Sequence, residues 1–448
     1  MQRLRVTSGK SHTSISGIMG DFTYIGLMTK RKEILDLGDE HKEIKPFDQR
    51  ESIAFLLGAG FSIPMGYPTG GAVNNGILKF EELPVAFSPS GEMASRKDGA
   101  KPDFGYTNSY DREFSLCKEL IAAYNNKVEE FDYERFMDVL RSKKIYTEYA
   151  AIIEKYVEEY NTSYGLIGNL PNIYSQMVAH LLKDADKESW YEGLPTHIGP
   201  YLDGPRSSYN SFLQCISKLK GEYVINIHTL NHDLFLESFN RSEYINGDMS
   251  DGFDDFGSRY YGRVHIEGRD AYRCRLERYT GRYYGAPIRL YKLHGSLNYV
   301  MMHRESGYGL VDDCEVKLRY GMGLMDLERE HSKRNGYDND FISYHADFLT
   351  GATTKPVYYR RSRFYMKLFR KFKNNLIHAK ALIVIGYGGK DEGINNYLLD
   401  YFDYQNKPCY FIDPGINCNS QLMALADKMY ASKIEKSISD FDARLIKW

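Results

Sequence analysis

The sequence predicts an α/β fold built on a doubly wound parallel sheet, with helices on both faces of the sheet. Five short apolar runs each end in a turn of small or polar residues, and helical periodicity separates several of them. The first run, residues 53–57, is compact and apolar throughout, which is typical of a parallel strand covered on both faces. The predicted strands are residues 53–57, 223–227, 288–293, 381–385 and 409–412. Ligands of this fold class bind beyond the carboxyl ends of the strands, so a site is expected in the turns at the ends of the runs.

The composition is that of an ordinary globular protein with material for a large core. Of the 448 residues, 42% are hydrophobic and 26% are charged. The formal net charge of -2 excludes a global basic field that would draw the chain onto nucleic acid, although it leaves a local patch open. The six cysteines are scattered and form no C-x-x-C pair, which disfavours a zinc knuckle or a redox dithiol and suits reduced thiols in a cytosol.

The first residues, MQRLRVTSGKSHTSISG, contain no apolar core of the kind that a signal peptide needs. No run of apolar residues approaches the length of a membrane span. We therefore expect a cytoplasmic protein with no membrane partner.

The strands of the predicted sheet come from two ranges of the sequence that are separated by an insertion. Residues 1–50 are polar and weakly patterned, and we interpret them as an N-terminal arm. The Rossmann-like catalytic domain is assigned to residues 51–80 and 221–448, and residues 81–220 to a largely helical insertion. Within the insertion, residues 83–111 are rich in Pro, Gly and Ser and predict a loop.

The first predicted strand ends in the turn GAGFS at residues 58–62, and a helix is expected after Thr69. Glycines at such a turn let the backbone approach a pyrophosphate, and the next helix offers its N-terminal amides. The usual dinucleotide fingerprint G-x-G-x-x-G requires a glycine where this chain has Ile63, so an ordinary dehydrogenase loop is not predicted. A strand–turn whose glycines are incidental is the alternative.

Each later turn also has an ordinary structural interpretation. In TLNHD at residues 229–233, an Asn after a strand commonly bonds its own backbone. The His of KLHGS at residues 292–296 is, if taken alone, a structural residue. The glycines of GYGGKD at residues 386–391 suit the start of a helix, and Asp413 either binds ribose hydroxyls or caps the next segment of the chain.

Taken together and in this order, the turns resemble the motifs of the sirtuin-like superfamily, in particular its stand-alone bacterial branch of NAD hydrolases. In that family G-A-G-x-S precedes G-x-P-T-G, as between residues 58 and 70 here. T-x-N-x-D comes after the next core strand, then K-L-H-G-S, and last G-Y-x-x-x-D-x-x-I-N, which corresponds to residues 386–395. The resemblance spans residues 51–415 but leaves out residues 1–50 and most of 81–220.

The resemblance implies a sirtuin-like Rossmann fold that takes NAD as its substrate. Asn231 would contact the nicotinamide ribose and order a water, and His294 would be the general base, a task that suits an imidazole titrating near neutrality. Asp233 would hold the nicotinamide carboxamide or orient the Asn231 turn. The residues expected to bind NAD are Gly58, Ala59, Gly60, Ser62, Pro68, Thr69, Asp233, Gly386, Tyr387, Asp391, Asn395 and Asp413. Of these, Ser62 and the backbone of 58–60 would bind phosphate, while Asp413 or Asn395 would address the adenosine side.

No metal is expected in this site. Sirtuin deacetylases have two C-x-x-C pairs downstream of the catalytic His-Gly, whereas residues 301–380 here contain a single cysteine, Cys314. A four-thiolate zinc site is impossible in that segment, and this disfavours deacetylation. His228 and His232 could imitate a metal pair, but they lie at a strand end and not on one face of a helix.

The basic and aromatic stretch at residues 355–380 predicts an amphipathic helix. Its apolar face is interpreted as a crossover helix that packs on the sheet before the 381–385 strand. The basic face leaves open a nucleic-acid or partner surface.

The leading function is hydrolysis of NAD to nicotinamide and ADP-ribose, as an effector of bacterial antiphage defence by abortive infection. The resemblance implies control by homo-oligomerisation, by a partner ATPase of the DNA-translocase type, or by a phage protein as activator. One alternative is protein deacylation or ADP-ribosyl transfer, which would need a groove for an acceptor peptide. The other is a subunit that binds NAD or ADP-ribose only as a sensor, and Asn231 and His294 argue against it because a sensor has no need of both.

Overall fold

The computed structural model describes most of the chain from residue 49 onward. The described residues are 49–80, 85–87, 93–95, 110–157, 163–185, 204–258, 260–264, 272–282, 284–306, 309–319, 322–327, 343–348 and 362–447. Nearly all of the predicted N-terminal arm, most of the predicted 83–111 loop and the first residues of the basic stretch lie outside the described residues.

Seven parallel strands form the central sheet, and elements are numbered here along the chain. Across the sheet the strands are β16 (Ser432–Ile434), β15 (Cys409–Ile412), β14 (Ala379–Ile385), β1 (Ser52–Leu57), β4 (Val224–Thr229), β10 (Ile288–Lys292) and β5 (Met249–Ser250). The five predicted strands are the five adjacent strands from β15 to β10. The predicted class, a Rossmann-like doubly wound parallel sheet, is therefore confirmed, and only the two short edge strands were not predicted.

Alternate residues of β1 point to opposite faces of the sheet and into separate cores. Ala54 and Leu56 pack with the helices of one face, and Ile53, Phe55 and Leu57 with those of the other. The first face is covered by α9 (Arg363–His378), α10 (Glu392–Tyr401) and α11 (Ser420–Lys428), and the second by α7 (Asn210–Leu219) and α8 (Phe235–Ser238). The predicted crossover helix is α9, whose apolar face is buried on the sheet.

A third core lies within a bundle of helices. Its helices are α1 (Gly70–Leu78), α2 (Asp111–Asn125), α3 (Tyr133–Arg141), α4 (Ile145–Glu148), α5 (Ala150–Val157) and α6 (Ser163–Ala185). Two boundaries differ from the sequence assignment. The α7 helix, which falls in the range given to the insertion, packs on the sheet, and α1, given to the sheet domain, buries Val73 and Ile77 in the bundle.

Inside the predicted 83–111 loop the chain forms a small antiparallel hairpin of β2 (Val85–Phe87) and β3 (Met93–Ser95). The loop prediction is therefore wrong at these two segments. Phe87 and Met93 are buried in the helical core, and this burial stabilises strands that are too short to give a periodic pattern.

An antiparallel sheet, which the sequence analysis did not predict, is formed largely by the chain between β10 and β14. Its order is β13 (Ser343–Phe348), β11 (Gly295–Ser306), β12 (Gly309–Lys317), β9 (Glu277–Tyr279) and β6 (Phe253–Asp254), and a separate hairpin pairs β7 (Tyr261–Val264) with β8 (Tyr272–Arg275). The β11 strand begins one residue after His294, and its Leu297 enters the helical core. Among the described residues, no helix combines the length and apolar character that crossing a bilayer requires.

Candidate active site

Four turns of the predicted motifs meet at the carboxyl edge of the sheet. They come directly after β1, β4, β10 and β14, which are neighbours in the sheet. Backbone hydrogen bonds continue past the strand ends, from Leu293 N to Thr229 O at 2.9 Å and from Gly58 N to Ile385 O at 3.0 Å. The parallel sheet thus brings together segments that lie more than 300 residues apart in the sequence.

The glycines of the first turn are required by contact with the turn after β14. A Cβ atom on Gly58 would lie 2.6 Å from Gly386 O, and one on Gly60 would lie 2.7 Å from Gly386 Cα. Gly386 itself has a φ of +61°, in the left-handed region that favours glycine. Glycine is therefore required at these positions, because the backbones of the two turns are in contact.

The first turn offers few free amides to a phosphate. Four of the five backbone amides of residues 58–62 donate hydrogen bonds inside the protein. Of these five amides, only that of the exposed Ala59 has no acceptor within the described part of the chain. A phosphate contact from this turn would therefore come from Ala59.

The turn after β14, in contrast, leaves most of its backbone amides without acceptors in the described part of the chain. No described residue accepts a hydrogen bond from the backbone amides of residues 387–390. The carbonyls of Gly388 and Gly389 are held by side-chain amides, from Asn419 at 3.0 Å and Asn395 at 2.8 Å. Backbone amides without an acceptor, just ahead of the N-terminus of α10, are groups that can bind an anion.

Tyr387 and Asn395 serve to hold this turn. The Tyr387 hydroxyl donates to Asn395 Oδ1 at 2.7 Å and lies 3.1 Å from the carbonyl oxygen of Asp391. Burial raises the pKa of Tyr387 far above its ordinary value, so the hydroxyl keeps its proton. Lys390, whose side chain is exposed, is the cation of the turn, and the sequence analysis gave it no role.

Asn231 is fixed by the first turn. Its side-chain amide donates to Gly58 O and to Ser62 Oγ, both at 3.0 Å, and it is only 8% exposed. The Ser62 hydroxyl in turn donates to Asp233 Oδ2 at 2.9 Å. Both amide hydrogens of Asn231 therefore have protein acceptors, and Oδ1 is the atom it can offer to a ligand. The hydroxyl hydrogen of Ser62, predicted to address phosphate, is directed to Asp233.

His294 lies beside a carboxylate that also begins a helix. Its Nε2 atom is 3.1 Å from Asp391 Oδ2, within range of a charge interaction but not aligned as a hydrogen bond. The other oxygen of Asp391 accepts from Ile394 N at 3.1 Å and caps α10. Asp391 was predicted to bind NAD, and its contact with His294 was not predicted. The sequence signals only its role as a helix cap, since an Asp stands at a helix start directly after the glycine turn.

A buried lysine stabilises the turn after β4 through hydrogen bonds. Lys292 is 1% exposed, donates to Glu237 Oε1 at 2.9 Å and also donates to the carbonyl oxygen of Asp233. Burial raises the pKa of the Glu237 carboxyl, and the Lys292 ammonium opposes that rise. This residue of the K-L-H-G-S motif thus positions the turn after β4.

His228 is a core residue. Its Nδ1 donates to Phe55 O, and its Nε2 accepts from the Asn375 side chain, both at 3.0 Å. Its ring stacks on Tyr291 with centroids 5.0 Å apart. Burial lowers the pKa of His228 to about 3, so the ring is neutral. Both ring nitrogens have protein partners, and neither is directed to His294.

The remaining predicted residues have local structural roles. Thr69, after Pro68, caps α1 by accepting from Ala72 N at 3.2 Å. Asp413 comes directly after β15, two strands from β1, and accepts from Gly415 N at 2.8 Å. Burial raises the pKa of Asp413. Both residues lie beyond strand ends of the same sheet, and their contact with NAD stays a prediction.

A cavity of about 730 Å³ lies elsewhere, between α7 and the last turns of the chain. Cations such as Lys218 and Lys436 alternate with acids such as Glu222 and Asp440 around it. None of the motif residues lines it, so the candidate site is assigned to the four turns.

No protein-family model and no curated protein sequence matches the chain. Among solved structures it is similar to a mutant Sir2 homologue in complex with 2'-O-acetyl ADP-ribose, with 11% identity, 90% of this chain and 93% of that chain covered, and a TM-score of 0.36. A Sir2 homologue mutant in complex with ADP-ribose shares 10% identity, with 88% and 96% covered and a TM-score of 0.33. A Sir2 homologue in complex with NAD shares 10% identity, with 89% and 88% covered and a TM-score of 0.32. Superpositions this loose add nothing to the architecture of the sheet, and the chemistry rests on the residues of the site.

Proposed function

We propose that this chain hydrolyses the nicotinamide–ribose bond of NAD to give nicotinamide and ADP-ribose. The observation that carries the proposal is the meeting of His294, Asn231 and the open amides of residues 387–390 at one edge of the sheet. Such a site combines an anion-binding turn with a base and a fixed hydrogen-bond acceptor.

The pyrophosphate of NAD would lie on the turn after β14. The amides of residues 387–390 and of Ala59 have no acceptor among the described residues, and the ammonium of Lys390 adds a positive charge. Anions bind favourably at such turns because the backbone dipoles and the N-terminus of α10 point toward them. The nicotinamide ribose would then extend toward Asn231 and His294.

The chemical step needs a water activated near the anomeric carbon. A water oxygen forms the new bond to that carbon as the bond to the nicotinamide nitrogen breaks, and nicotinamide leaves as a neutral molecule. His294 accepts the proton of the water, and the Asp391 carboxylate at 3.1 Å stabilises the imidazolium that forms. Asn231 Oδ1 accepts a hydrogen bond from the water or from a ribose hydroxyl.

Hydrolysis is favoured over protein deacylation by the segment downstream of His294. Between residues 301 and 380 the sequence has one cysteine, so a four-thiolate zinc module cannot form there. The described part of that segment includes strands of the antiparallel sheet. An acetylated peptide distinguishes deacylation from hydrolysis, because only deacylation needs the acyl group of the peptide, which is transferred to ADP-ribose.

The decisive experiment measures release of nicotinamide and ADP-ribose from NAD by the purified full chain, with and without an acetylated peptide. We expect release without peptide, and we expect it to be lost in His294→Ala and in Asn231→Ala while both variants keep the melting temperature of a folded protein. His378→Ala, which removes an exposed histidine on α9, is the matched control and should retain wild-type turnover.

Wild-type rates in both site variants would contradict the assignment, and release that depends on the peptide would favour the acyl-transfer alternative. If the wild-type chain is silent, an NAD titration is the next measurement. Binding without turnover in the presence of candidate activators would favour a sensor over a hydrolase.

We further propose that the activity serves antiphage defence by depleting NAD, under the control of homo-oligomerisation, a partner ATPase or a phage protein. The support is the motif resemblance, which implies a stand-alone bacterial branch of NAD hydrolases. Cells that express the wild-type chain should lose NAD on phage infection, and cells that express His294→Ala should not. Equal NAD loss in both strains would remove the defence role without touching the hydrolase assignment.

A further inference from the structure

One face of α9 is a row of exposed polar and cationic side chains. Arg363, Lys367, Arg370, Asn374 and His378 recur at three- and four-residue spacing, and all five are exposed. We call this row the α9 stripe. At about 1.5 Å per residue it is roughly 22 Å long.

The cations of α9 have no counter-ions among the residues that the structure describes. The helix contains five Lys or Arg residues and no Asp or Glu. None of the five forms an ion pair within the described part of the chain, whereas Lys380, just beyond the helix, pairs with Glu51 at 2.9 Å. Lys371 and Lys373, which flank the stripe, lie over the rings of Tyr284 and Tyr401 at 4.8 Å and 4.3 Å.

The positive charges on α9 repel one another. Arg363 and Lys367 are four residues apart, Lys367 and Arg370 three, and no opposite charge stands at either spacing on this helix. Burial lowers the pKa of Lys371, and the nearby Arg289 lowers it further. A partner that carries a row of negative charges would relieve the repulsion.

We propose that the α9 stripe binds the phosphate backbone of a nucleic acid. Arg and Lys side chains repeated along one line can each meet a phosphate without reading the bases, and Asn374 adds an uncharged donor. Binding of this kind is set by the local row of cations and does not require a basic protein, so it is compatible with a net charge of -2.

Two other anionic partners fit the stripe less well. A helix that binds a membrane surface needs a free apolar face, and the apolar face of α9 is buried on the sheet. A stable protein interface needs an apolar centre. The large exposed apolar side chains on α9 are only Met366 and Ile377, each about 40% exposed and eleven residues apart.

The test measures binding of the full chain to labelled single-stranded and duplex oligonucleotides of mixed sequence, by fluorescence anisotropy across a salt series. The variant carries Arg363→Gln, Lys367→Gln and Arg370→Gln. The matched control carries Arg135→Gln, Lys143→Gln and Lys144→Gln, three exposed cations of the helical bundle, so that both proteins change net charge equally. We expect the α9 variant to bind at least about tenfold more weakly and to lose about three from the slope of log K against log salt, with the control unchanged.

Several results would overturn the proposal. They are no binding of either oligonucleotide by the wild-type chain, equal weakening in the control variant, or equal binding of polyglutamate. A melting temperature for each variant shows that it is folded, and Arg370→Gln alone should lose about one unit of salt slope if the triple variant is unstable. Turnover of NAD without oligonucleotide should be the same in both variants, so failure of this proposal is distinct from failure of the hydrolase assignment.

Discussion

The two carboxylate oxygens of Asp391 each have a described contact, and a single substitution separates the effects of these two contacts. Oδ1 caps α10, and Oδ2 lies beside His294. Asparagine is as good a helix cap as aspartate but carries no charge. We therefore expect Asp391→Asn to lower kcat for NAD hydrolysis about tenfold to a hundredfold, with KM within about twofold and the melting temperature unchanged.

Asp391→Ala is the informative companion, because it removes the cap as well as the charge. It should show the same loss of kcat together with about 1 kcal/mol less stability. Steady-state kinetics and thermal melts on the two variants separate these effects. If Asp391→Asn turns over at the wild-type rate, Asp391 only caps the helix and the positioning of His294 must come from elsewhere.

His228 gives the fold a dependence on pH that can be measured apart from activity. Its pKa is about 3 in the folded protein against an ordinary 6.5, so below pH 6.5 the unfolded chain binds a proton that the folded chain does not. Stability from this residue is complete above pH 6.5 and is lost as pH falls toward 3. Between pH 7 and pH 5 the loss is about 2 kcal/mol.

Urea unfolding of the wild type and of His228→Phe at those two pH values checks this. The variant should be less stable at pH 7, since it loses both imidazole hydrogen bonds, but it should lose about 2 kcal/mol less on going to pH 5. Parallel losses in the two proteins would show that His228 does not carry the effect.

At the scale of the elements, the contact between the two glycine turns sets the geometry of the site. A Cβ on Gly386 would lie 2.4 Å from Phe61 N, and its φ of +61° adds strain for any other residue. Gly388, two residues on, has nothing within 4 Å of such an atom. We expect Gly386→Ala to lower the free energy of unfolding by more than about 2 kcal/mol and to abolish turnover.

Gly388→Ala is the control for that experiment. It should leave stability within about 0.5 kcal/mol of the wild type, because it lies in the same turn but meets no neighbour. Denaturant unfolding of the two variants gives the comparison. Equal stability would mean that the turns can separate without cost.

Some elements of the fold can be predicted from the sequence, and others cannot. The central strands β1, β4, β10, β14 and β15 are largely apolar and mostly buried, and that pattern can be recognised in the sequence even though Asn226, Arg289 and Lys380 interrupt it. The edge strands β5 and β16 have two and three residues, too few for any periodicity. The antiparallel sheet was not predicted: the register of the β11–β12 hairpin shifts between Met302 and His303, and β11 pairs with β13 across a longer separation in the sequence.

Part of the candidate site could likewise be predicted from the sequence, and part of it could not. Motif order along the chain predicted that Asn231, His294 and the glycine turns belong together, because carboxyl ends of parallel strands share an edge. It could not predict which amides of those turns are already bonded, nor that Asp391 faces His294, since both depend on side-chain rotamers and turn geometry. The approach of the turns after β10 and β14 is a property of the packed sheet and not of either segment.

At the scale of the whole molecule, Leu297 connects the site to the helical bundle. It lies three residues after His294, its backbone amide donates to His232 O at 3.0 Å, and its side chain is buried in the core of the bundle. Truncation should cost about 2–5 kcal/mol of stability by opening a cavity. We also expect Leu297→Ala to lower kcat about tenfold, because small displacements of a catalytic side chain are costly.

Leu170→Ala serves as the matched control, since Leu170 is buried in the same core but lies on α6. Unfolding and steady-state kinetics should show a similar loss of stability in the two variants and a loss of kcat in Leu297→Ala alone. A comparable fall of kcat in both would mean that the bundle acts on the site through overall stability.

The position of Leu297 also has a thermodynamic consequence. One short segment belongs both to the candidate site and to the core of the bundle. If the site binds NAD as proposed, a ligand that favours one packing of the bundle is therefore expected to change the free energy of NAD binding. Linkage then runs in both directions by the same factor: whatever a molecule docked on the bundle does to NAD affinity, NAD does to the affinity for that molecule. The cellular NAD concentration would thereby set the occupancy of any such regulator.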